Sequence, residues 1–187
     1  YQIEPVGVLV PKSADDVRTA IAICREQGVP VLPRGAGSSQ CGQTVGAALV
    51  IDCSKHLARI NGFDREAMTA AVEPGVVLDQ LNAFLKPHGL WFPVDVSTSA
   101  QATLGGMAGN NSCGSRSIAY GNMVHNVLAI DAILADGTEA RFGPEREMGA
   151  APERVGELLR GLRAIGEREQ GEIERNVPKV LRRVGGY

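Results

Sequence analysis

A glycine-rich stretch, PRGAGSSQCGQT at residues 33–44, has a composition suited to binding a ligand. It places Arg34 next to Gly35 and Gly37, and two serines and a further glycine follow. Glycine leaves the backbone accessible, and successive backbone N–H groups can form a concave anion-binding site without a helix. Arg34 would add positive charge. The stretch, which we call the first loop, therefore predicts a phosphate-binding segment.

The first loop fits neither of two common phosphate motifs. A Rossmann fingerprint needs a third glycine where Gln40 stands, and a P-loop needs a lysine where Gln43 stands. The apolar run AALV that follows predicts a strand, so the helix that both motifs require is missing. A tight connection between strands, with no ligand, remains an alternative because glycine clusters often mark turns.

A second glycine-rich segment, TLGGMAGNNSCGSRSIAYGN at residues 103–122, strengthens the ligand interpretation. Its Gly, Asn and Ser content argues against a long helix. We call it the second loop. Two such loops on a small scaffold suggest that both face one extended ligand.

The flanking residues predict the elements that would position the first loop. Ser13 is a suitable N-cap for a helix that Gly28 would end. The segments PVLP and AALVIDCS read as short buried strands on either side of the first loop. Residues 1–53 are therefore predicted to form a βαβ-type unit.

The remaining chain repeats these elements. MTAAVEPG predicts a strand and VLDQLNAFLKPHG a helix that ends at Gly89. Asp136-Gly137 predicts a hairpin, and residues 153–183 predict an amphipathic helix. The apolar face expected for the helix before Gly89 consists of Val77, Leu81, Phe84 and Leu85.

Composition narrows the classes of function. The 187 residues carry a net charge of -2, which gives no electrostatic support for a nucleic-acid partner. The four cysteines form no C-x-x-C pair and the three histidines are scattered, so no metal site is predicted within the chain. No apolar run is long enough to span a membrane. We expect reduced thiols, a cytoplasmic location and, since no initiator Met is present, a piece of a longer protein.

Three segments together resemble the FAD-binding domain of the vanillyl-alcohol oxidase / p-cresol methylhydroxylase superfamily. They are LVPKSADDVRTAIAICREQGVPVLPRGAGSS, TAAVEPGVVLDQLNAFLKPHGLWFPVD and TLGGMAGNNSCGSRSIAYGNMVHNVLAIDAILADGT, and they occur in the family's order over roughly residues 5–143. Within the superfamily the sequence is most similar to the D-lactate, glycolate and D-2-hydroxyglutarate dehydrogenase branch. The end, VPKVLRRVGGY, resembles a bacterial form fused to an iron–sulfur region.

The resemblance implies an α+β fold in which two α/β subdomains clamp FAD. The expected domains are residues 1–53, residues 54–143 and a helical extension, residues 144–187, leading toward a cap domain. The resemblance also implies which residues contact FAD. They are Arg34, Gly35, Ala36, Gly37, Ser38, Ser39, Thr103, Leu104, Gly105, Gly106, Asn110, Asn111, Gly114, Tyr120, Gly121, Val127 and Ile130. Ser38 stands where members with covalent flavin often carry His, so non-covalent FAD is implied.

The implied activity is oxidation of a small D-2-hydroxyacid by hydride transfer to FAD. Electrons would leave through an iron–sulfur cluster elsewhere in the full-length protein or through another carrier. The catalytic residues are expected outside this chain; Arg182 and Arg183 are more simply surface residues than carboxylate ligands. Three alternatives stay open: a flavin reductase of the enolpyruvyl-sugar reductase type, a non-catalytic flavin-binding module and a P-loop nucleotide binder.

Overall fold

The structure, a computed structural model, describes residues 2–144 and 151–180. The chain divides into two compact units, the first ending at Val127 and the second beginning at Leu128. The subdomain boundaries expected from the sequence, after residues 53 and 143, stay predictions. Arg182 and Arg183 lie outside the described residues.

The first unit opens with a parallel sheet and one helix. Strands β1 (Gly7–Leu9), β2 (Val31–Arg34) and β3 (Leu49–Asp52) pair in the order β1-β3-β2, and helix α1 (Ala14–Gln27) joins β1 to β2. Adjacent parallel strands need a crossover connection of about a dozen residues or more. The first loop supplies most of the connection from β2 to β3, and no helix interrupts it.

Local sequence accounts for the bounds of α1, as predicted. The Ser13 Oγ accepts a hydrogen bond from the Asp16 N–H at 3.3 Å, and the Asp16 carboxylate accepts one from the Ser13 N–H at 3.1 Å. Gly28 ends the helix with φ +65°, a left-handed conformation that favours glycine. The helix buries Ala20, Ile21 and Cys24.

A hairpin and a second helix follow. Strands β4 (Ile60–Asp64) and β5 (Thr69–Val72) pair in antiparallel fashion, and α2 (Leu78–Leu85) continues into a 3₁₀ turn (Lys86–His88) before Gly89. The sequence predicted β5 and α2 but not β4. The expected apolar face of α2 was partly wrong. Helix α2 begins after Val77, so its buried residues are Leu78, Leu81 and Leu85, while Phe84 is 39% exposed.

The second loop contains two short helices, α3 (Leu104–Gly109) and α4 (Ser117–Tyr120), and no long one, as its composition indicated. A third short helix, α5 (Met123–Asn126), follows the loop directly. Leu104, Met107 and Met123 are buried in the same hydrophobic cluster as the inner face of α2. The core of the first unit therefore holds the start of the second loop and the residue that directly follows its end.

The second unit consists of a hairpin and a long helix. Strands β6 (Ile130–Ile133) and β7 (Glu139–Phe142) flank the predicted turn, in which Gly137 has φ +85°. Helix α6 (Glu153–Asn176) confirms an amphipathic helix here, but the expected extent to residue 183 was wrong, because the helix ends at Asn176 and Val177, which precedes Pro178, is extended. Val155 is its buried residue, whereas Leu162 and Ile165 on the predicted apolar face are exposed.

Across residues 2–144 and 151–180, no helix has both the length and the apolar character that crossing a membrane requires.

Candidate cofactor-binding site

The two glycine-rich loops meet where Gly35 lies against Thr103. A Cβ atom added to Gly35 would stand 2.0 Å from the Thr103 Oγ1 and 3.3 Å from its Cβ. Thr103 is 2% exposed, so the backbone of the first loop covers its side chain directly. Any residue larger than glycine at position 35 would have to displace the Thr103 side chain or one of the loops. The site is therefore built from both predicted segments.

The first loop presents unused backbone donors. It begins at the end of β2, where the Cys53 N–H donates to the Arg34 carbonyl at 2.9 Å. From Gly35 to Gln40, no backbone N–H donates to an acceptor among the described residues. Gly37 has φ +68°, so the chain turns within this run. Consecutive free N–H groups at such a turn are suited to binding an anion.

Arg34 adds a positive charge at the same turn. Its Nε and Nη2 atoms each lie 2.6 Å from the position that a Cβ atom would take on Gly37. Arg34 pairs with no carboxylate in the described part of the chain. The guanidinium is thus packed against the loop backbone and keeps its charge available for a phosphate.

The second loop, in contrast, is largely hydrogen-bonded within the protein. The Leu104 N–H donates to the Val76 carbonyl at 2.8 Å, and the Gly105 N–H donates to the Pro74 carbonyl at 2.9 Å. Leu104 is also buried in the core. Contact of Leu104 and Gly105 with a cofactor stays a prediction, and other backbone atoms would have to make it.

The turn that supports Gly105 lies at the end of MTAAVEPG, where the sequence predicts a turn after the strand but no part of the site. Glu73 accepts hydrogen bonds from the Arg59 N–H at 2.8 Å and from its guanidinium at 2.7 and 3.0 Å. The side-chain hydrogen bonds from Arg59 lower the pKa of Glu73. Gly75 packs so closely that an added Cβ would stand 2.2 Å from the Cys53 carbonyl oxygen. These contacts fix Pro74, against which Gly105 lies.

Other predicted residues of the second loop have separate partners. Gly106 lies within α3 without a positive φ, and an added Cβ would meet only the Thr103 Oγ1, at 3.3 Å. Asn111 has φ +44°, and its Oδ1 accepts from the Val124 N–H at 3.1 Å. Asn110 is exposed, and its N–H donates to the Gly106 carbonyl at 3.0 Å.

The last predicted positions extend past α4. Tyr120 is half exposed, and Gly121 has φ +81° against the His125 ring. Val127 packs partly buried against the core of the first unit. Ile130 lies on β6 in the second unit.

Of the first loop, Ser38 is exposed and Ala36 and Ser39 are partly buried. Direct contact of each of these residues, and of the predicted positions past α4, with a cofactor stays a prediction.

Three buried polar atoms without a partner mark the site further. Within the described residues these are the Gln43 Oε1, the Thr103 Oγ1 and the Asn122 Nδ2, and all belong to the two loops. Buried polar groups are normally hydrogen-bonded, so one acceptor, one hydroxyl and one donor are left for which a polar ligand could supply partners. Gln43 and Asn122 were missed because burial depends on tertiary packing. FAD, with its pyrophosphate and ring heteroatoms, fits these residues.

Comparison with known proteins identifies the class. Residues 5–143 match the family model described as FAD binding domain, so the chain belongs to this family of FAD-binding domains. The resemblance inferred from the sequence is thereby confirmed, and with it the mixed helix and strand fold.

Two relatives are named as enzymes that oxidise small hydroxyacids. The chain is 37% identical to a D-2-hydroxyglutarate dehydrogenase of Pseudomonas putida, over 100% of this chain and 19% of that protein. It is 36% identical to the glycolate oxidase subunit GlcD of Bacillus subtilis, over 76% of this chain and 31% of that protein. The matched regions thus cover only 19% and 31% of the length of these two relatives.

A solved structure shows the same fold. An alkyldihydroxyacetonephosphate synthase superposes with a TM-score of 0.64 over 74% of this chain and 26% of that one, at 21% identity.

The contact of Gly35 with Thr103 yields a testable coupling. Gly35→Ala places a methyl group against the Thr103 Oγ1, so it should lower the melting temperature of the full-length protein and weaken FAD binding. We expect the free energy of unfolding to fall by about 1–3 kcal/mol, the usual cost of overpacking. Thr103→Ala removes the clashing oxygen. The double variant should therefore lose less stability than the two single variants lose when their losses are added. Strictly additive losses would show that the two residues do not touch.

Proposed function

We propose that this chain binds FAD across its two glycine-rich loops and is the cofactor domain of a flavin-dependent dehydrogenase that oxidises a small D-2-hydroxyacid. The observation that carries the proposal is the meeting of the loops at Gly35 and Thr103, together with backbone donors and buried polar atoms of the two loops that have no partner among the described residues. Membership of the FAD-binding family supports the choice of cofactor. The names of the relatives support the substrate class.

The first loop would hold the pyrophosphate. The N–H groups from Gly35 to Ser39 would donate to the phosphate oxygens, and the Arg34 guanidinium would offset their charge. Gln43 and Asn122 would offer an acceptor and a donor to other polar atoms of the cofactor. When bound, FAD supplies a two-electron acceptor for the oxidation, while the protein positions it and tunes its surroundings.

The residues that bind the hydroxyacid and take its proton are proposed to lie outside this chain, as is an iron–sulfur cluster or other electron carrier. A cytoplasmic location belongs to the same proposal. All four cysteines, Cys24, Cys41, Cys53 and Cys113, are free thiols, as is usual in a reducing compartment.

The flavin should be bound without a covalent link. Ser38 stands where a histidine would be needed, and no cysteine occurs between Gly89 and Thr103 to form another attachment. Acid precipitation of the full-length protein should therefore release the yellow colour into the supernatant. Colour that remains with the precipitate after washing would contradict this expectation.

Flavin reduction tests the proposed activity directly. Under anaerobic conditions, D-lactate, glycolate or D-2-hydroxyglutarate should bleach the flavin absorbance of the full-length protein, because hydride transfer reduces the ring. The L enantiomers of lactate and 2-hydroxyglutarate are the matched controls and should leave the colour unchanged. Bleaching by NADPH, followed by reoxidation with an enolpyruvyl sugar nucleotide, would instead favour the reductase. A flavin that none of these reagents reduces would favour a binding module, and a colourless protein that binds ATP would overturn the proposal.

A further inference from the structure

A network at the surface of the first unit fixes the part of the second loop that follows Gly114. We propose that Asp95 is a positioning residue for FAD, because its carboxylate holds residues 114–116 in the conformation from which Tyr120, Gly121 and Asn122 reach the cofactor. The inference rests on the proposed function and adds to it a residue outside both loops.

One carboxylate holds two consecutive residues of the second loop. The Asp95 Oδ2 accepts a hydrogen bond from the Ser115 Oγ at 2.7 Å, and the Oδ1 accepts one from the Arg116 N–H at 3.1 Å. The Arg116 Nε lies 3.6 Å from the Oδ2. These hydrogen bonds, that from Ser115 first, lower the pKa of Asp95, so the carboxylate is ionised at neutral pH.

The residue before Ser115 is packed against the same aspartate. A Cβ atom added to Gly114 would lie 2.1 Å from the Asp95 Oδ1 and 2.3 Å from its carbonyl oxygen. The Gly114 N–H donates to the Ser117 Oγ at 2.9 Å, which starts the turn into α4. Asp95 therefore determines the path of the chain where it enters α4.

Trp91, on the same segment as Asp95, contacts the other end of α4. The Arg116 guanidinium stacks over the Trp91 ring at 5.0 Å, and the Tyr120 ring meets Trp91 edge-on at 5.3 Å. Residues 91–95 thus hold the chain from Gly114 to Tyr120. The next two residues are Gly121 and Asn122, which belong to the proposed cofactor site.

Because the network lies outside the hydrophobic core, a role of Asp95 in positioning the loop can be distinguished from a role in folding. Ser115 and Arg116 are exposed, and Asp95 is not part of the hydrophobic core. Exposed ion pairs contribute little to global stability. Removing the Asp95 carboxylate should therefore loosen the loop while leaving the melting temperature of the flavin-free protein almost unchanged.

The test compares Asp95→Ala, Asp95→Asn and Asp15→Ala in the full-length protein. Flavin-free protein is titrated with FAD, its melting temperature is measured, and its hydrogen exchange is followed over residues 111–121. Asp95→Ala should weaken FAD binding by about tenfold or more, the scale of one lost charge-assisted hydrogen bond, and should speed exchange in that range. Asp95→Asn should lose less FAD affinity, since its amide can still accept a hydrogen bond from the Arg116 N–H and donate one to the Ser115 Oγ.

Asp15 is the matched control, because it forms an exposed ion pair with Arg18 on α1 of the same unit. Asp15→Ala should change neither FAD affinity nor exchange over residues 111–121. Wild-type FAD affinity in Asp95→Ala would overturn the inference. A large fall in the melting temperature that Asp95→Asn does not restore would overturn it as well, in favour of a folding role. If wild-type protein binds no FAD, the proposed function fails, and exchange over residues 111–121 still reports whether Asp95 holds the loop.

Discussion

The close approach of Gly35 to Thr103 is the constraint on which the proposed site depends. The first loop links parallel strands without a helix, so it has no regular backbone hydrogen bonds of its own to fix its path. Packing onto a buried threonine side chain supplies that path. The same arrangement leaves the N–H groups from Gly35 to Gln40 without acceptors within residues 2–144 and 151–180. The loop is thus positioned by contact and free to donate to an anion.

The two loops contribute in different ways. The second loop is tied to the core by Leu104 and Met107, by Met123 directly after it, and by the hydrogen bonds of Leu104 and Gly105 to the turn after β5. It forms the rigid side of the site, against which the first loop rests. Ligand contacts often lie on loops that a rigid scaffold positions, and here one loop serves as part of the scaffold for the other. The proposed role of Asp95 extends the same support to the chain beyond Gly114.

Features fixed by local chemistry were predictable from the sequence. Ser13 and Gly28 specify the ends of α1, and Asp136-Gly137 specifies the hairpin of the second unit. Features fixed by tertiary contact were not. Strand β4 contains Gly62 and depends on pairing with β5. The burial of Gln43 and Asn122 follows from packing that no spacing rule encodes. The ordered set of three motifs therefore identified the family and its cofactor, while the contacts that hold the loops together required the structure.

Hydrogen exchange of the full-length protein with and without FAD tests most directly whether both loops bind one cofactor. We predict that FAD slows exchange within residues 34–44 and within residues 103–122, and that α1 (Ala14–Gln27) exchanges at the same rate in both states. The largest effect should fall on the amides from Gly35 to Gln40, for which the described part of the chain provides no acceptor. Protection confined to one loop, or absent from both while FAD remains bound, would contradict a site shared by the two loops.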